Sequence, residues 1–486
     1  MPLPSLSALR DSYSRETEKL RDRFNVTGDG AAFLLSRTEL VDSLVRELYL
    51  ELLSNNLNAP DNFCAVALGG YGRKALFPHS DVDILYLCAN PAVVTATKEP
   101  VAAISQALWD IRLRVSPATR TLEECEEFND ENPEFTISLL DSRYIAGDQE
   151  LFARLSGKVI PALVARERQP LVRNLAELTR KRHAKHGNTI FHLEPNLKEA
   201  PGGLRDYHVA CWLTQIAELE KSERSRAVDA GKQRTQDKSF LRAFEFLSAA
   251  RCFLHLRQGR DDNVLSYELQ ADAAVSGIGA KAGGKISPSD WMRDYFQRAR
   301  AIFNLTNQML DEAPPARSSL YELFEDWRSR LSNSDFSIFR ERIFVRQPAA
   351  LADPEKFLSL FEYRAHHGLP FSPEAERQIL EALGKIKREA YCSPRLWQWF
   401  RPILLQSSAA DALRDLNRLG VLGILFPQFR CIDSLVVRDF YHRYTVDEHS
   451  FQTIDNLQRL RQPVGEWERK FAEIFSELEQ PELLFL

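Results

Sequence analysis

At 486 residues the chain is too long for one ordinary core, and its length suggests about three domains. A composition of 44% hydrophobic and 27% charged residues with a net charge of −5 is that of a globular protein without the basic face or tail of a nucleic-acid-coating protein, although a local basic pocket for a nucleotide is compatible with it. Scattered cysteines without a C-x-x-C pair argue against a disulfide framework or zinc ribbon; with no signal-peptide pattern and no run of about 18 apolar residues, the expectation is a cytoplasmic protein with no membrane contact.

Residues 5–57 read as helices of mixed charge, as in TELVDSLVRELYLELLS, where Leu and Val recur at helical spacing. Next comes VALGGYGRKALFPHSDVDILYL (66–87): an apolar strand, a glycine-bearing turn and a second apolar strand that carries Asp81 and Asp83. EPVAAISQALWDIRLRV predicts a helix leading into a third short strand, and ATRTLEECEEF predicts the opening of a further helix. This order argues for a small α/β domain over 38–150, preceded by an N-terminal helical segment at 1–37. From 151 to 312 the pattern is nearly all helical, broken by EPNLKEAPGGLRDYH and by a polar loop at 275–288. EAPPARSS (312–319) reads as a linker, because its prolines cannot continue a helix. A linker and helical region (313–400) and a last segment (401–486) follow.

The paired acids are the strongest signal. On a strand, residues i and i+2 face one side, so Asp81 and Asp83 project together while Val82 points to the core. Adjacent carboxylates in a partly buried place repel one another and resist leaving water. A divalent cation between them, Mg²⁺ with phosphate oxygens completing its shell, makes the arrangement favourable. Gly69, Gly70 and Gly72 let the turn tighten and its backbone approach a phosphate, Ser80 offers a hydroxyl, and Arg73 or Lys74 a counter-charge. A lone D-x-D or G-G-x-G is weak; together, in order and between apolar strands, they point to metal–nucleotide chemistry.

This pattern resembles that of the nucleotidyltransferase superfamily. Within it, HLEPNLKEAPGGLRDYH (192–208), LWD (108–110), SRYIAGD (142–148), RQGRDDNVLSYELQ (257–270), MRDYF (292–296) and FYHRYTVDEHS (440–450) are similar to segments of the bacterial protein-PII uridylyltransferase/uridylyl-removing enzyme family, in the same order. The resemblance implies a nucleotidyltransferase domain at 38–150, a helical uridylyltransferase-associated domain at 151–312 and the start of an HD-type phosphohydrolase domain at 401–486. It also implies transfer of UMP from UTP to a tyrosine of the PII protein, with release of pyrophosphate. Asp81 and Asp83 would be catalytic Mg²⁺ ligands, Gly69, Gly70, Arg73 and Ser80 the nucleotide contacts, and Lys198, Arg205 and Asp206 further substrate or nucleotide contacts. The residues alone allow a second reading of 192–208, a salt-bridged capping turn between helices.

In the same family His449 resembles the first metal ligand of the phosphohydrolase, with His442 two helical turns earlier. The chain contains no His-Asp dipeptide, so an incomplete hydrolase, a truncated chain without ligand-sensing ACT domains, and no uridylyl removal are expected. VSPATRT (115–121) departs from the family's usual V-G-H-S-V-R-T: Ser116-Pro117 stands for Gly-His, while Arg120 is kept. A third carboxylate is sought at Asp110 or Asp141. Two rival expectations are transfer to a different acceptor and a degenerate, non-catalytic nucleotide-sensing or scaffold module.

Overall fold

The computed structural model describes residues 6–54, 62–219, 235, 237–279, 286–312, 333–339, 341–385, 395–437 and 443–485. Two compact units emerge: Met1–Ile190 with Glu194–Ala313, and Phe191–Leu193 with Pro314–Leu486.

The first unit is built on a mixed sheet of β1 (Phe63–Ala67), β2 (Val82–Cys88), β3 (Val115–Thr121) and β4 (Arg143–Gly147), in the order β3-β2-β1-β4. β1 runs antiparallel to β2 and β4, and β2 runs parallel to β3. The strand period of two sorts the apolar side chains cleanly between the faces. Phe63, Ala65, Ala67, Val82, Ile84, Tyr86 and Cys88 pack with residues of the helices Leu6–Thr27, Gly30–Ser54 and Pro91–Asp110. Cys64, Val66, Leu85 and Leu87 face the other way, into a core shared with the helices Ile160–Lys185 and Leu204–Leu219. Asp83 has the parity of Leu85 and Leu87, so the alternation that builds the sheet also aims this acid at the helical half of the unit.

The N-terminal helices and the helix before β3 lie where the periodicity puts them. Two local expectations need correction. Asp81 is not inside a strand but immediately before β2, where it is exposed, while Val82 is fully buried. ATRT belongs to β3 rather than to a helix, and only a 3₁₀ turn at Glu124–Glu126 follows. Pro117 is tolerated because β3 is an edge strand of the sheet. Residues 280–285 of the polar loop and 313–319 of the proline-bearing linker lie outside the described residues.

In the second unit, a hairpin of β5 (Phe336–Phe339) and β6 (Arg342–Val345) packs with helices around Phe357, Phe361, Ile403, Leu404 and Leu416. No helix among the described residues is long and apolar enough to cross a membrane.

Candidate active site

The glycine turn folds as one short helical turn, Gly69–Gly72, tied to β2 by a hydrogen bond from the Leu68 N–H to the Asp83 carbonyl (3.0 Å). Gly69 has φ +51°, and a Cβ there would stand 3.1 Å from Asp83 Oδ2. At Gly72 a Cβ would sit 1.9 Å from the Asp141 carbonyl oxygen, a space that only glycine leaves open. The sequence therefore uses glycine where the turn must press against the acids of the site.

The segment 192–208 contributes a second turn to the same site. Asn196 Oδ1 accepts from the backbone N–H groups of Lys198 (3.0 Å) and Glu199 (2.8 Å), and Gly202, at φ +74°, approaches Ala299 so closely that a Cβ would fall 2.3 Å from its carbonyl oxygen. Asp206 opens the helix Leu204–Leu219 and accepts the Gly202 N–H at 2.7 Å. Asn196 and Asp206 thus form a capping turn, and Lys198 and Arg205 lie on it.

A cavity of about 1170 Å³ lies between the sheet and the helices. Asp81, Asp83, Gly69, Gly70, Arg73, Ser80, Lys198 and Arg205 all line it. Asp206 does not: it is fully buried and held by Arg182 and by His183 Nε2 at 2.9 Å. Burial pushes its carboxyl up, but the bond from His183 and the charge of Arg182 outweigh this and hold it below the usual carboxylate range. The expected substrate contact at Asp206 is therefore corrected to an internal anchor. Lys74 is exposed and outside the lining, as is Arg120, whose guanidinium lies over the Phe135 ring.

Arg73 reaches the cavity but is committed to Asp141, and it also lies 5.4 Å from the centre of the Trp212 ring. Trp212 Nε1 donates to the same Asp141 oxygen at 3.0 Å. Burial pushes this pair toward its neutral forms, lowering Arg73 and raising Asp141, while their mutual attraction opposes it. Of the two sought carboxylates, Asp141 thus lines the cavity with one oxygen engaged, whereas Asp110 is exposed at a helix end and accepts from Gln106.

Sequence reading missed several lining residues. Lys181, Arg182 and Lys185 come from the last turns of Ile160–Lys185, and Arg251 from Lys238–Gln258, where it stacks 4.1 Å from the centre of the Phe77 ring. Asp261 lies in a segment that the sequence had singled out, RQGRDDNVLSYELQ, and Asn196, Glu199 and His208 lie in another, 192–208. His208 also lines the cavity, with Nε2 buried and lacking a hydrogen-bond partner; burial first, then Arg73, drives it well below the ordinary imidazole range.

Asp83 is the electrostatic centre of the site. Burial, and next the like charge of Asp81, push its carboxyl up to about 6. A cation would relieve that repulsion, and the carboxylate and hydroxyl oxygens of Asp81, Asp83, Ser80 and Ser116 suit a hard divalent ion. Among the described residues no trio of His, Cys, Asp or Glu is placed to hold a metal, so this donor set fits a site that substrate oxygens or water complete. His449, expected as a metal ligand, belongs to no such trio among the described residues. It is exposed near the start of the helix Val446–Arg459, where its neighbours Asp447 and Glu448 are bonded to Asn417 and Arg414; His442 lies outside the described residues.

A small mixed sheet that aims paired acids and a glycine turn at a basic helical wall defines a nucleotidyltransferase domain followed by helical domains. A family profile described as GlnD PII-uridylyltransferase matches residues 171–310, the helices that close the cavity. The chain is 32% identical over 418 residues to the bifunctional uridylyltransferase/uridylyl-removing enzyme of Cereibacter sphaeroides, covering 85% of this chain and 44% of that one. The same-named enzyme of Rhodopseudomonas palustris is 30% identical over 466 residues, 92% of this chain and 49% of that protein. Over most of its length the chain is similar to the bifunctional uridylyltransferase/uridylyl-removing enzymes, and it spans about half the length of the curated relatives it matches.

Proposed function

We propose that this chain transfers UMP from UTP to a tyrosine hydroxyl of a PII signalling protein in a Mg²⁺-dependent reaction. In this reading the tyrosine oxygen bonds to the α-phosphorus, the bond between that phosphorus and the α–β bridging oxygen breaks, pyrophosphate leaves, and the hydroxyl proton passes to solvent or a nearby carboxylate. No nucleophile is needed from the chain itself.

The observation that carries the proposal is the meeting of the Asp81–Asp83 pair and the Gly69–Gly70 turn with Lys198, Arg205 and Arg251 around one cavity. Asp81 and Asp83 would hold the divalent ion, which when bound supplies Lewis-acid stabilisation of the phosphoryl oxygens and the leaving pyrophosphate. Gly69 and Gly70 admit the triphosphate close to the backbone, and Ser80 offers its hydroxyl. Lys198 and Arg205 balance the phosphate charge; Arg73, held by Asp141, and Arg251, held by Asp261, order the wall rather than serving as free counter-charges. The mixed charge of the lining, with Asp261 and Glu199 among the bases, suits a compact polyanion with its metal better than a nucleic-acid backbone.

The test is label transfer from α-labelled UTP to purified PII protein with Mg²⁺, in the presence of ATP and 2-oxoglutarate, comparing the chain with its Asp81→Ala/Asp83→Ala variant. Mg²⁺-dependent labelling that the variant lacks is the expected result. A folded chain that labels nothing would overturn the transfer reading. Metal-dependent labelling of another acceptor, with PII untouched, would overturn the acceptor assignment alone.

A further inference from the structure

We infer that Arg114 is an internal counter-ion, bound to Asp81 when no metal ion is there and changing partner to Asp261 when one arrives. The inference rests on the reading of Asp81 and Asp83 as the metal carboxylates.

β2 and β3 are parallel with Val82 opposite Val115, and the Val82 N–H donates to the Arg114 carbonyl at 2.8 Å. The Arg114 backbone is therefore pinned beside Asp81, and the side chain supplies the freedom. Its Nε stands 3.0 Å from Asp81 Oδ1, with the two side chains 51% and 57% exposed. An ion pair this open to water is weak and readily exchanged.

Arg114 Nη2 donates to the His79 carbonyl and lies 3.9 Å from Asp261 Oδ2, so contact needs only a small swing. Asp261 is a prepared receiver. Its Oδ1 accepts from Arg251 Nη2 and Asn263 Nδ2, each at 3.2 Å, while Arg114 Nη2 faces Oδ2. A guanidinium and a divalent cation at the same carboxylate repel each other strongly. Metal binding at Asp81 thus expels Arg114, and the nearest carboxylate receives it. In the metal-free protein the same arginine lowers the charge of the acid pair.

The experiment titrates Mn²⁺ alone into the full chain by electron paramagnetic resonance, for wild type, Arg114→Gln, Arg114→Lys, Asp261→Asn and the Arg114→Gln/Asp261→Asn double variant, with thermal unfolding recorded for each. Arg114→Gln should tighten Mn²⁺ binding by roughly two- to five-fold, the range an exposed ion pair spans, and Arg114→Lys should stay near wild type. Asp261→Asn should weaken binding by a similar factor, and this loss should vanish in the Arg114→Gln background. Unchanged or weaker binding by a folded Arg114→Gln overturns the inference. So does an Asp261→Asn loss that persists undiminished in the double variant, since Asp261 would then attract the ion directly. A Mn²⁺ site that survives Asp81→Asn/Asp83→Asn overturns instead the metal reading underneath.

Discussion

Gly69 and Asp83 are in such close approach that a single methyl group on the glycine would stand 3.1 Å from the carboxylate oxygen, and the glycine holds a left-handed φ of +51°. Gly69→Ala should therefore cost about 1–2 kcal/mol of stability through the backbone alone. Displacing Asp83 should lower label transfer by roughly ten- to a hundredfold, more than the stability loss explains. Urea unfolding and the transfer assay, run on the same variant, separate the two effects.

Asp83 also predicts a pH-dependent stability. Burial first, and then Asp81, raise its carboxyl from 3.8 to about 6, so the folded state binds a proton here more tightly than the unfolded chain does. The protonated acid incurs no penalty below about pH 4; the destabilisation develops as pH rises from there through about 6 and is complete above it. Asp83→Asn should accordingly raise stability by about 1–2 kcal/mol at neutral pH, allowing for partial exposure, and by little at pH 4. Thermal unfolding without metal at both pH values checks this; equal stabilisation at the two would contradict it.

Arg73, partly buried, forms an ion pair with the buried Asp141, whose carboxylate also accepts from Trp212. Asp141→Ala leaves the partly buried Arg73 guanidinium without its partner and should cost about 2–3 kcal/mol. Arg73→Met/Asp141→Leu should be markedly less damaging than that single change, because no lone charge is left buried. A double-mutant cycle by urea unfolding measures the coupling, and additivity of the single changes would show the pair to be energetically idle.

Lys198 lines the cavity, and burial, reinforced by Arg251 and Arg205, lowers its affinity for a proton. If it holds phosphate, Lys198→Ala should raise the KM for UTP by roughly ten- to a hundredfold, the worth of one charge-assisted bond. Its unfolding midpoint should stay close to wild type. Asp206→Ala should do the reverse, losing stability through the stranded Arg182 and His183 before any effect on KM appears.

Much of the site was legible in the sequence because strand and turn chemistry are local. The alternation that buries Val82 and turns Asp83 to the other face is a period-two pattern, and the glycines lie within one turn of each other. Asp206 was misread for the same reason: sequence spacing puts it beside Arg205, but helical geometry turns one of the two toward the cavity and the other into the core. Arg73 was read as a free charge, since nothing local announces that Asp141 takes it. Lys181 and Arg251 were invisible, being delivered by helices whose own patterns report only which face is apolar.

The sheet's two-sided burial also bears on what can be inherited or cut out as a module. Cys64, Val66, Leu85 and Leu87 are covered by residues of helices that lie beyond residue 150. A fragment stopping after β4 would bare a contiguous oily face, a surface that drives self-association. One extending through the helix that ends at Glu312 would keep that face covered and hold Arg251 and Asp261 against the site. The acids beside β2 and the basic helices that face them are thus parts of one packed unit, and a cut between them would open its core.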